Sequence, residues 1–306
     1  MDRRRQYYGC LVMFTAHIGI FGLGPIIPLY AKRTLGATPA LVFLTSFSRD
    51  VVQILLRIPL GALSDKVGRK PLMTLGLICY AIAQTISFVA PSPEVLLLAM
   101  AVTGVGLSAF IPPSQAWFAE LAEEGRIGEA IGMRDMAMTL TMMVGPPVCG
   151  SLALIFPTYR PIFLATLGFT FLGLVTLSLS AETHPPTSRT SWIGNLKELR
   201  NGIVRIPSML SKMFKDRGML ASSITTFFSG FVSGPFESYY TLYSSTRLGL
   251  DEVMISTGFT ARGLTSTLSI TYWGRLSDRI GRFQPMAMGL AVLASVLMVI
   301  PSVREY

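Results

Sequence analysis

The chain has 306 residues, of which 51% are hydrophobic and only 14% are charged, and its mean hydropathy is +0.53. A soluble globular protein of this length needs more charge to cover its surface. Apolar runs of roughly 20 residues recur along the chain, which is about the length of helix that crosses a bilayer. The composition therefore predicts an all-α membrane protein, with the lipid bilayer as its main surroundings.

Nine apolar runs are long enough to form membrane-spanning helices, and a polar linker divides them. The runs are Tyr8–Tyr30, Ala40–Leu63, Pro71–Ala90, Glu94–Ala119, Gly128–Phe156, Pro161–Ala181, Gly218–Tyr243, Asp251–Trp273 and Gln284–Val303. We therefore predict three regions. Residues 1–181 form a six-helix bundle, residues 182–217 form a cytoplasmic linker, and residues 218–306 form the first three helices of a second bundle.

Two features mark the first span. Gly22, Gly24, Pro25 and Pro28 predict a break towards its outer end, and broken membrane helices are found where they line a cavity or lie buried in protein. His17 lies among apolar residues in the same span. It is interpreted either as a packing residue whose hydrogen bonds are satisfied or as a titrating group for transport.

The second span carries charges that must face a cavity or a partner. Arg49, Gln53 and Arg57 are spaced four residues apart and share one helix face, with Asp50 adjoining. Each charge costs roughly 2.5–3.5 kcal/mol at the centre of a bilayer. Two arrangements are open: Asp50 neutralises Arg57, seven residues on, or Arg49 beside it is tied down elsewhere. Arg49 and Arg262 both precede a loop acid by 16 residues, which favours a structural or gating role near the outer mouth; substrate contact is the alternative.

The linker contains a helical pattern. Trp192, Leu196, Leu199 and Ile203 recur at helical spacing with basic and polar residues between them. This pattern is typical of an amphipathic helix on the inner membrane surface. A solvated helical connector is the alternative interpretation.

Glu237 is the one glutamate well inside a predicted span. The rise per residue of a helix places it near the depth of Arg262 on the next span, and we predict that the two pair. A buried carboxyl is also the best candidate for a proton carrier. These two roles conflict, because a tight ion pair keeps Glu237 ionised.

The three cysteines, Cys10, Cys79 and Cys149, lie in apolar runs without metal-ligand spacing. They are interpreted as small packing residues. The sequence predicts no metal and no cofactor, although a proton or other ion gradient can drive transport.

The distribution of basic residues predicts the orientation. With the N-terminus in the cytoplasm, and with Arg134 near the inner end of the fifth span counted as inner, 18 of the 26 Lys and Arg residues are inner, 5 are outer and 3 lie deeper within spans. Cytoplasmic segments hold the excess of Lys and Arg in membrane proteins. The net charge of +9 is thereby explained by orientation, without a nucleic-acid partner.

A charged stretch occurs twice. The first copy runs from Gly61 to Lys70 and the second, 213 residues later, from Gly274 to Arg282; we interpret each as a short loop between spans. Aligned at this offset, residues 29–77 match their counterparts at 15 of 49 positions. Chance would give about 3 or 4 matches in so biased a composition. Six spans separate the two copies, so the repeat is parallel.

The doubled stretch resembles the signature of the major facilitator superfamily. The first copy fits it throughout and the second fits until Phe283; the matching residues are Gly61, Asp65, Lys66, Gly68, Arg69, Lys70, Gly274, Asp278, Arg279, Gly281 and Arg282. The resemblance implies two six-helix bundles around a central cavity that opens to each side in turn. It also implies that the two stretches act as gating loops, whose acids and bases latch one bundle to the other.

The fifth span resembles more weakly that of drug–proton antiporters in this family. The matching residues are Gly132, Gly145, Pro146 and Gly150, whereas Thr141 and Cys149 replace two glycines. The resemblance implies a hinge in this helix, and ordinary close packing of glycines is the alternative. In the fourth span, Met100 stands where such exporters usually place an arginine. The coupling ion is left open.

The leading hypothesis for function is secondary active transport of a small organic solute, by efflux antiport, in a cell membrane and as a monomer. The alternative is an uptake carrier of the same fold for a nutrient or an organic anion. A membrane enzyme is disfavoured, because the sequence contains no metal cluster, nucleotide loop or nucleophile–base spacing. A family member has twelve spans and this chain has nine, so we expect a fragment or truncated product that does not transport alone.

Overall fold

The computed structural model describes residues 3–123, 126–183, 220, 237–280 and 283–299. The predicted linker helix lies outside these residues, as does most of the first half of the seventh predicted span. Residues 281 and 282 of the second charged stretch are also outside them.

The described residues form helices joined by short connections, and this part of the chain contains no strand. The helices are α1 (Arg3–Gly22), α2 (Ile26–Leu29), a π-helical turn (Tyr30–Thr34), α3 (Pro39–Val67), α4 (Arg69–Val89), α5 (Pro93–Glu120), α6 (Ile127–Ile155), α7 (Arg160–Leu179), α8 (residues 237–246), α9 (Glu252–Ile280) and α10 (Phe283–Val299). The all-α prediction is confirmed.

Six of these segments are long and apolar enough to cross a membrane. They correspond to the first six predicted spans, with the first running from Arg4 through α2 to Thr34. The helices extend beyond most of the predicted ends by a few residues. In the second half, α9 has 29 residues and α10 has 17.

The predicted break in the first span is confirmed. Helix α1 ends at Gly22, residues 23–25 form a turn, and α2 begins at Ile26. The π-helical turn follows directly, because the amide of Leu35 donates to the carbonyl of Tyr30 over 3.2 Å, five residues back. A π-turn places one extra residue in the helix and often marks a functional site.

The internal repeat extends to the boundaries of the helices. Helices α3 and α9 both contain 29 residues, and both ends of α9 lie 213 positions after those of α3. The residue before each helix caps it: Thr38 Oγ1 accepts from the Leu41 amide, and Asp251 Oδ1 accepts from the Met254 amide. Side-chain acceptors at this position satisfy amides that the helix itself cannot.

The connection before each of these helices is repeated too. The Leu248 amide donates to the Tyr243 carbonyl over 3.4 Å, which is the counterpart of the bond between Leu35 and Tyr30. Gly36 and Gly249 are also counterparts, with φ angles of +68° and +63°. Glycine adopts this left-handed region without the steric cost that a side chain brings. The repeat is therefore one of backbone geometry as well as of sequence.

The prediction that residues 61–70 form a loop was wrong. Helix α3 continues to Val67 and α4 starts at Arg69, so that Gly68 alone leaves the helical conformation, at φ +107° and ψ +158°. This region of backbone space is essentially restricted to glycine. A one-residue turn is possible because the Gly68 amide still donates to the Ser64 carbonyl and closes the last turn of α3.

Small residues hold the first six spans together. A Cβ on Gly76 would meet the Gly106 carbonyl of α5 at 2.9 Å, and a Cβ on Gly106 would meet the Tyr80 ring of α4 at 2.6 Å. Close backbone approach of this kind provides the packing contacts that drive helix association in lipid. Helix α5 also packs along α3, while α1 packs against α6 and α7.

We predict that Gly68→Ala destabilises the protein by about 1–3 kcal/mol, because a Cβ strains the turn between α3 and α4. Thermal unfolding in detergent measures this as a lower midpoint. Gly168→Ala is the matched control: Gly168 lies inside α7, and a Cβ added there would have nothing within 4 Å, so alanine should be neutral or stabilising. Equal midpoints for the two variants would contradict the prediction.

Candidate functional site

A partly polar cavity lies where the first six spans meet α8, and residues of the first four spans and of α8 line it. Its lining residues are Ile20, Leu23, Gly24, Ile27, Pro28, Ser46, Arg49, Ala83, Gln84, Ser87, Met100, Thr103, Glu237 and Ser238. The hydroxyls of Ser46 and Ser238 form a hydrogen bond of 2.7 Å across it. The break after α1 lines one wall, so the interrupted first span and the cavity occupy the same place in the fold.

The predicted pair between Glu237 and Arg262 is confirmed. Arg262 Nη1 of α9 donates to Glu237 Oε1 of α8. The Glu237 side chain is 27% exposed and that of Arg262 is 53% exposed. Because Glu237 also lines the cavity, its carboxylate meets both a fixed positive charge and any solute that enters.

The arrangement in which Asp50 neutralises Arg57 was wrong. Asp50 Oδ1 instead accepts from Nε of the neighbouring Arg49 over 2.8 Å, and Arg49 lines the cavity. Arg57 is exposed and forms no ion pair with Asp50. The side chains of adjacent residues can meet where both reach the edge of a helix, which spacing rules do not anticipate. Gln53 is half-buried, and its main-chain carbonyl accepts from Ser108 of α5.

His17 is fully buried among aromatic rings. Its Nδ1 donates to the Met13 carbonyl one turn earlier, over 3.1 Å. The Phe21 ring stacks on it and the Phe110 ring meets it edge-on. His17 does not line the cavity, but Ile20, one turn further along α1, does.

The first charged stretch forms an ion-pair cluster around Arg69. The Arg69 guanidinium is buried and donates to Asp65 and Ser64 of α3 and to Glu120 at the end of α5, the last through Nε and Nη2 at 3.1 and 3.0 Å. Lys66 lies in the last turn of α3. These bonds join three helices at one end of the bundle.

A second acid fixes the start of α4. The Glu182 carboxylate accepts from the main-chain amides of Arg69 and Lys70, at 3.1 and 3.0 Å. Lys70 Nζ donates to the carbonyls of Ser178 and Ser180 at the end of α7. A carboxylate at a helix N-terminus and an ammonium at a helix C-terminus both suit the helix dipole. The stretch thereby ties α4 to α7.

The second copy lies at the end of α9. Gly274, Asp278 and Arg279 fall in its last two turns, and only the backbone is described at these positions. Gly281 and Arg282 lie outside the described residues. The gating role implied for both copies stays a prediction.

Two of the three predicted hinge glycines of α6 pack closely against other helices. A Cβ on Gly145 would meet the Ile18 carbonyl of α1 at 2.6 Å, and one on Gly150 would meet the Glu252 carbonyl of α9 at 3.0 Å. Gly132 has nothing within 4 Å of such a Cβ. Helix α6 continues through Pro146 without interruption. The hinge role of these residues stays a prediction.

A polar cluster at the opposite end of the bundle joins the two halves. Arg33, on the π-helical turn, donates to Glu252 of α9, to Tyr159 before α7 and to Ser245 of α8; the last two distances are both 2.9 Å. Tyr159 also donates to Glu252 over 2.5 Å. Partial burial, together with this bond to a carboxylate, raises the pKa of the Tyr159 phenol to about 12, so it remains a donor at neutral pH. We call these four residues the Arg33 cluster.

Sequence reasoning missed Glu120, Glu182, Gln84 and the Arg33 cluster. Glu120 and Glu182 each follow an apolar run directly, so an acid at a span end was a usable signal for them. Arg33 and Glu252 are 219 residues apart and carry no repeat or motif. Whether these two side chains meet depends on how α6 packs against α9. The sequence pattern does not predict that packing.

The comparisons with known proteins agree with this arrangement. The Major Facilitator Superfamily family description matches residues 9–305. The chain belongs to the major facilitator superfamily. This membership gives the fold class and identifies the chain as a transporter that spans the cell membrane. It also gives the class of substrate, which is a small molecule.

Three similar proteins illustrate the family. A multi-drug resistance efflux pump PmrA homolog from Lactococcus lactis is 28% identical over 293 residues, covering 91% of this chain and 69% of that protein. The quinolone resistance protein NorA from Staphylococcus aureus is 22% identical over 295 residues, covering 96% and 72%. The crystal structure of the human organic anion transporter MFSD10 superposes with a TM-score of 0.60 at 18% identity, covering 98% and 77%.

We predict that Glu252→Gln opens the end of the cavity that the Arg33 cluster closes. The test uses Ser87→Cys, a cavity-lining probe, in a chain whose native cysteines are replaced, and the rate of thiol labelling is measured in detergent. A partly exposed charged contact is worth about 1 kcal/mol, so the rate should rise about five-fold. Glu129→Gln is the control, because its partner Arg126 lies at the other end of α6. Similar rates in both variants would contradict the prediction.

Proposed function

We propose that the protein exports small organic compounds by secondary active antiport. The observation that carries this proposal is the polar cavity at the seam between the first six spans and α8, in a chain of the major facilitator superfamily. The names of the PmrA homolog and NorA, a multidrug efflux pump and a quinolone resistance protein, support export as the direction and drug-like compounds as the substrates.

Alternating access requires contacts that close one end of the cavity and can break. The Arg33 cluster supplies such contacts between the halves at one end, through Arg33, Ser245 and Glu252. At the other end, the Arg69 cluster ties α3, α4 and α5 into one unit. We propose that the protein alternates by breaking the Arg33 cluster while the Arg69 cluster and its repeat counterpart at the end of α9 form the latch between halves.

The Glu237–Arg262 pair ties the carboxylate to a positive charge, so Glu237 can carry a proton only in a state in which this pair is open. A carboxylate held by a guanidinium releases it when protonated, because the charge attraction is lost. Since Glu237 lines the cavity, protonation from one side and release to the other would change the cavity's charge between the two states. We propose Glu237 as the proton carrier, with no metal or organic cofactor and no covalent catalysis, in a monomer.

An uptake carrier for organic anions is the second candidate. Two observations favour it: Arg49 lines the cavity and Arg262 adjoins it, and MFSD10 is named an organic anion transporter. Guanidinium groups bind carboxylates and phosphates well. In this chain, however, each of these arginines already has an acidic partner, in Asp50 and Glu237.

Export is tested by dye accumulation in cells that express this chain as part of a twelve-helix carrier. We expect a lipophilic cationic dye to accumulate less in these cells than in non-expressing cells. In Glu237→Gln, the ratio of export with a pH gradient to export without one should fall roughly ten-fold if the carboxyl is the coupling group. Glu129→Gln, on an exposed surface, should leave it unchanged. Proton-driven export that survives Glu237→Gln would rule out the carrier role, and gradient-driven flux of organic anions instead of dye would favour the uptake carrier.

We propose further that the N-terminus is cytoplasmic, so that both charged stretches face the cytoplasm. The excess of basic residues in those segments supports this orientation. Cysteines introduced at Ser64 and Ser277, counterparts in the repeat, should both resist a membrane-impermeant thiol reagent in intact cells and react after permeabilisation. Thr158→Cys, in the connection between α6 and α7, is the positive control and should react from outside. Labelling of Ser64→Cys from outside would contradict the orientation.

A further inference from the structure

Three unsatisfied polar atoms gather at one place inside the first six spans. In the described part of the chain, the buried side-chain polar atoms without a hydrogen-bond partner are His17 Nε2, Tyr80 OH and Gln84 Nε2. The His17 and Tyr80 rings lie 6.0 Å apart, edge to face. Tyr80 and Gln84 are one turn apart on α4, so they share a helix face. The three atoms therefore belong to a single cluster.

All three side chains are deeply buried. His17 and Tyr80 are fully buried, and Gln84 is 2% exposed. Polar groups buried in this way almost always have a partner, because they lose their bonds to water on burial. A cluster of three unpaired groups therefore points to a molecule that binds between them.

The hydrogen-bonding capacity of the cluster identifies this molecule as neutral and small. His17 Nδ1 donates to the Met13 carbonyl, so the proton of a neutral ring is on Nδ1 and Nε2 is an acceptor. Thr170 Oγ1 lies 3.0 Å from the Gln84 amide and also donates to the Thr166 carbonyl over 3.2 Å. Whichever way the Gln84 amide is turned, one of its two terminal atoms has no partner. The Tyr80 hydroxyl both donates and accepts. A water molecule donates two hydrogen bonds and accepts two, so it can bond to all three side chains.

Aromatic rings surround this site, and Gln84 connects it with the cavity. The Phe110 ring lies 4.7 Å from the His17 ring and 6.5 Å from the Tyr80 ring, measured between centroids. Gln84 itself lines the cavity, together with Ala83 and Ser87 of the same helix. A water molecule bound here has a polar route to the cavity through Gln84.

We propose that His17, Tyr80 and Gln84 bind one ordered water molecule in the wall of the cavity. This water satisfies all three side chains, and Gln84 separates it from the cavity. The site is independent of the direction of transport and of the coupling ion, since it rests on burial and hydrogen bonding alone.

The test compares Tyr80→Phe with the wild-type chain in thermal unfolding. If a water molecule is bound, removing the hydroxyl leaves that water short of a partner and lowers the midpoint. If the site is dry, the same change removes an unpaired hydroxyl and raises the midpoint or leaves it unchanged, which would overturn the proposal. Tyr7→Phe is the matched control, because Tyr7 is exposed on α1 and should show no shift.

A double-mutant cycle gives a second readout that general destabilisation cannot imitate. Tyr80→Phe and Gln84→Leu should be non-additive, because both side chains bind the same water. Additive shifts would contradict a shared ligand. A high-resolution density map provides the direct check: one water-sized peak within hydrogen-bond distance of the three atoms is expected. A direct bond between Tyr80 and His17 without such a peak would refute the site.

Discussion

The constraint on which this structure depends is that hydrocarbon offers no hydrogen bonds and screens charge poorly. Every charge inside or beside a span therefore needs a partner from the protein. Three of the described ion pairs follow this requirement: Arg49 with Asp50, Arg262 with Glu237, and Arg33 with Glu252. Each of the three lies at the cavity or at one end of the bundle. The last two pairs join different elements of the fold, whereas Arg49 and Asp50 are neighbours on α3.

The pairs differ in what they join, and this difference separates rigid from movable contacts. The Arg69 cluster connects α3, α4 and α5 within the first half, and its central guanidinium is buried. Breaking it would expose a buried charge, which is costly. The Arg33 cluster connects the two halves, and the Arg33 side chain is 41% exposed. Water can replace its bonds at small cost. A contact that must break in each transport cycle is best built from partly exposed groups, as in the Arg33 cluster.

Several features could be predicted from sequence because they depend on local chemistry or on regular periodicity. The span positions follow from apolar length, and the break after α1 follows from Gly22 and Pro25. The pair between Glu237 and Arg262 follows from depth along two neighbouring helices. The one-residue turn at Gly68 was missed because a helix end and a loop have similar composition. The Arg33 cluster and the water site depend on how α1, α4 and α9 face one another. The periodicity of a single sequence shows which face of a helix is apolar, but not which helix that face meets.

In the two copies of the repeat, the backbone geometry is the same but the side chains differ. Backbone features match at the fixed offset: the bonds to the Tyr30 and Tyr243 carbonyls, and the left-handed Gly36 and Gly249. The same backbone turn therefore leads into α3 and into α9. The side chains on the two turns differ, since Arg33 corresponds to Thr246, which bonds only its own helix. The turn therefore fixes where a side chain can reach between the halves, and the residue placed there decides whether the two halves are tied.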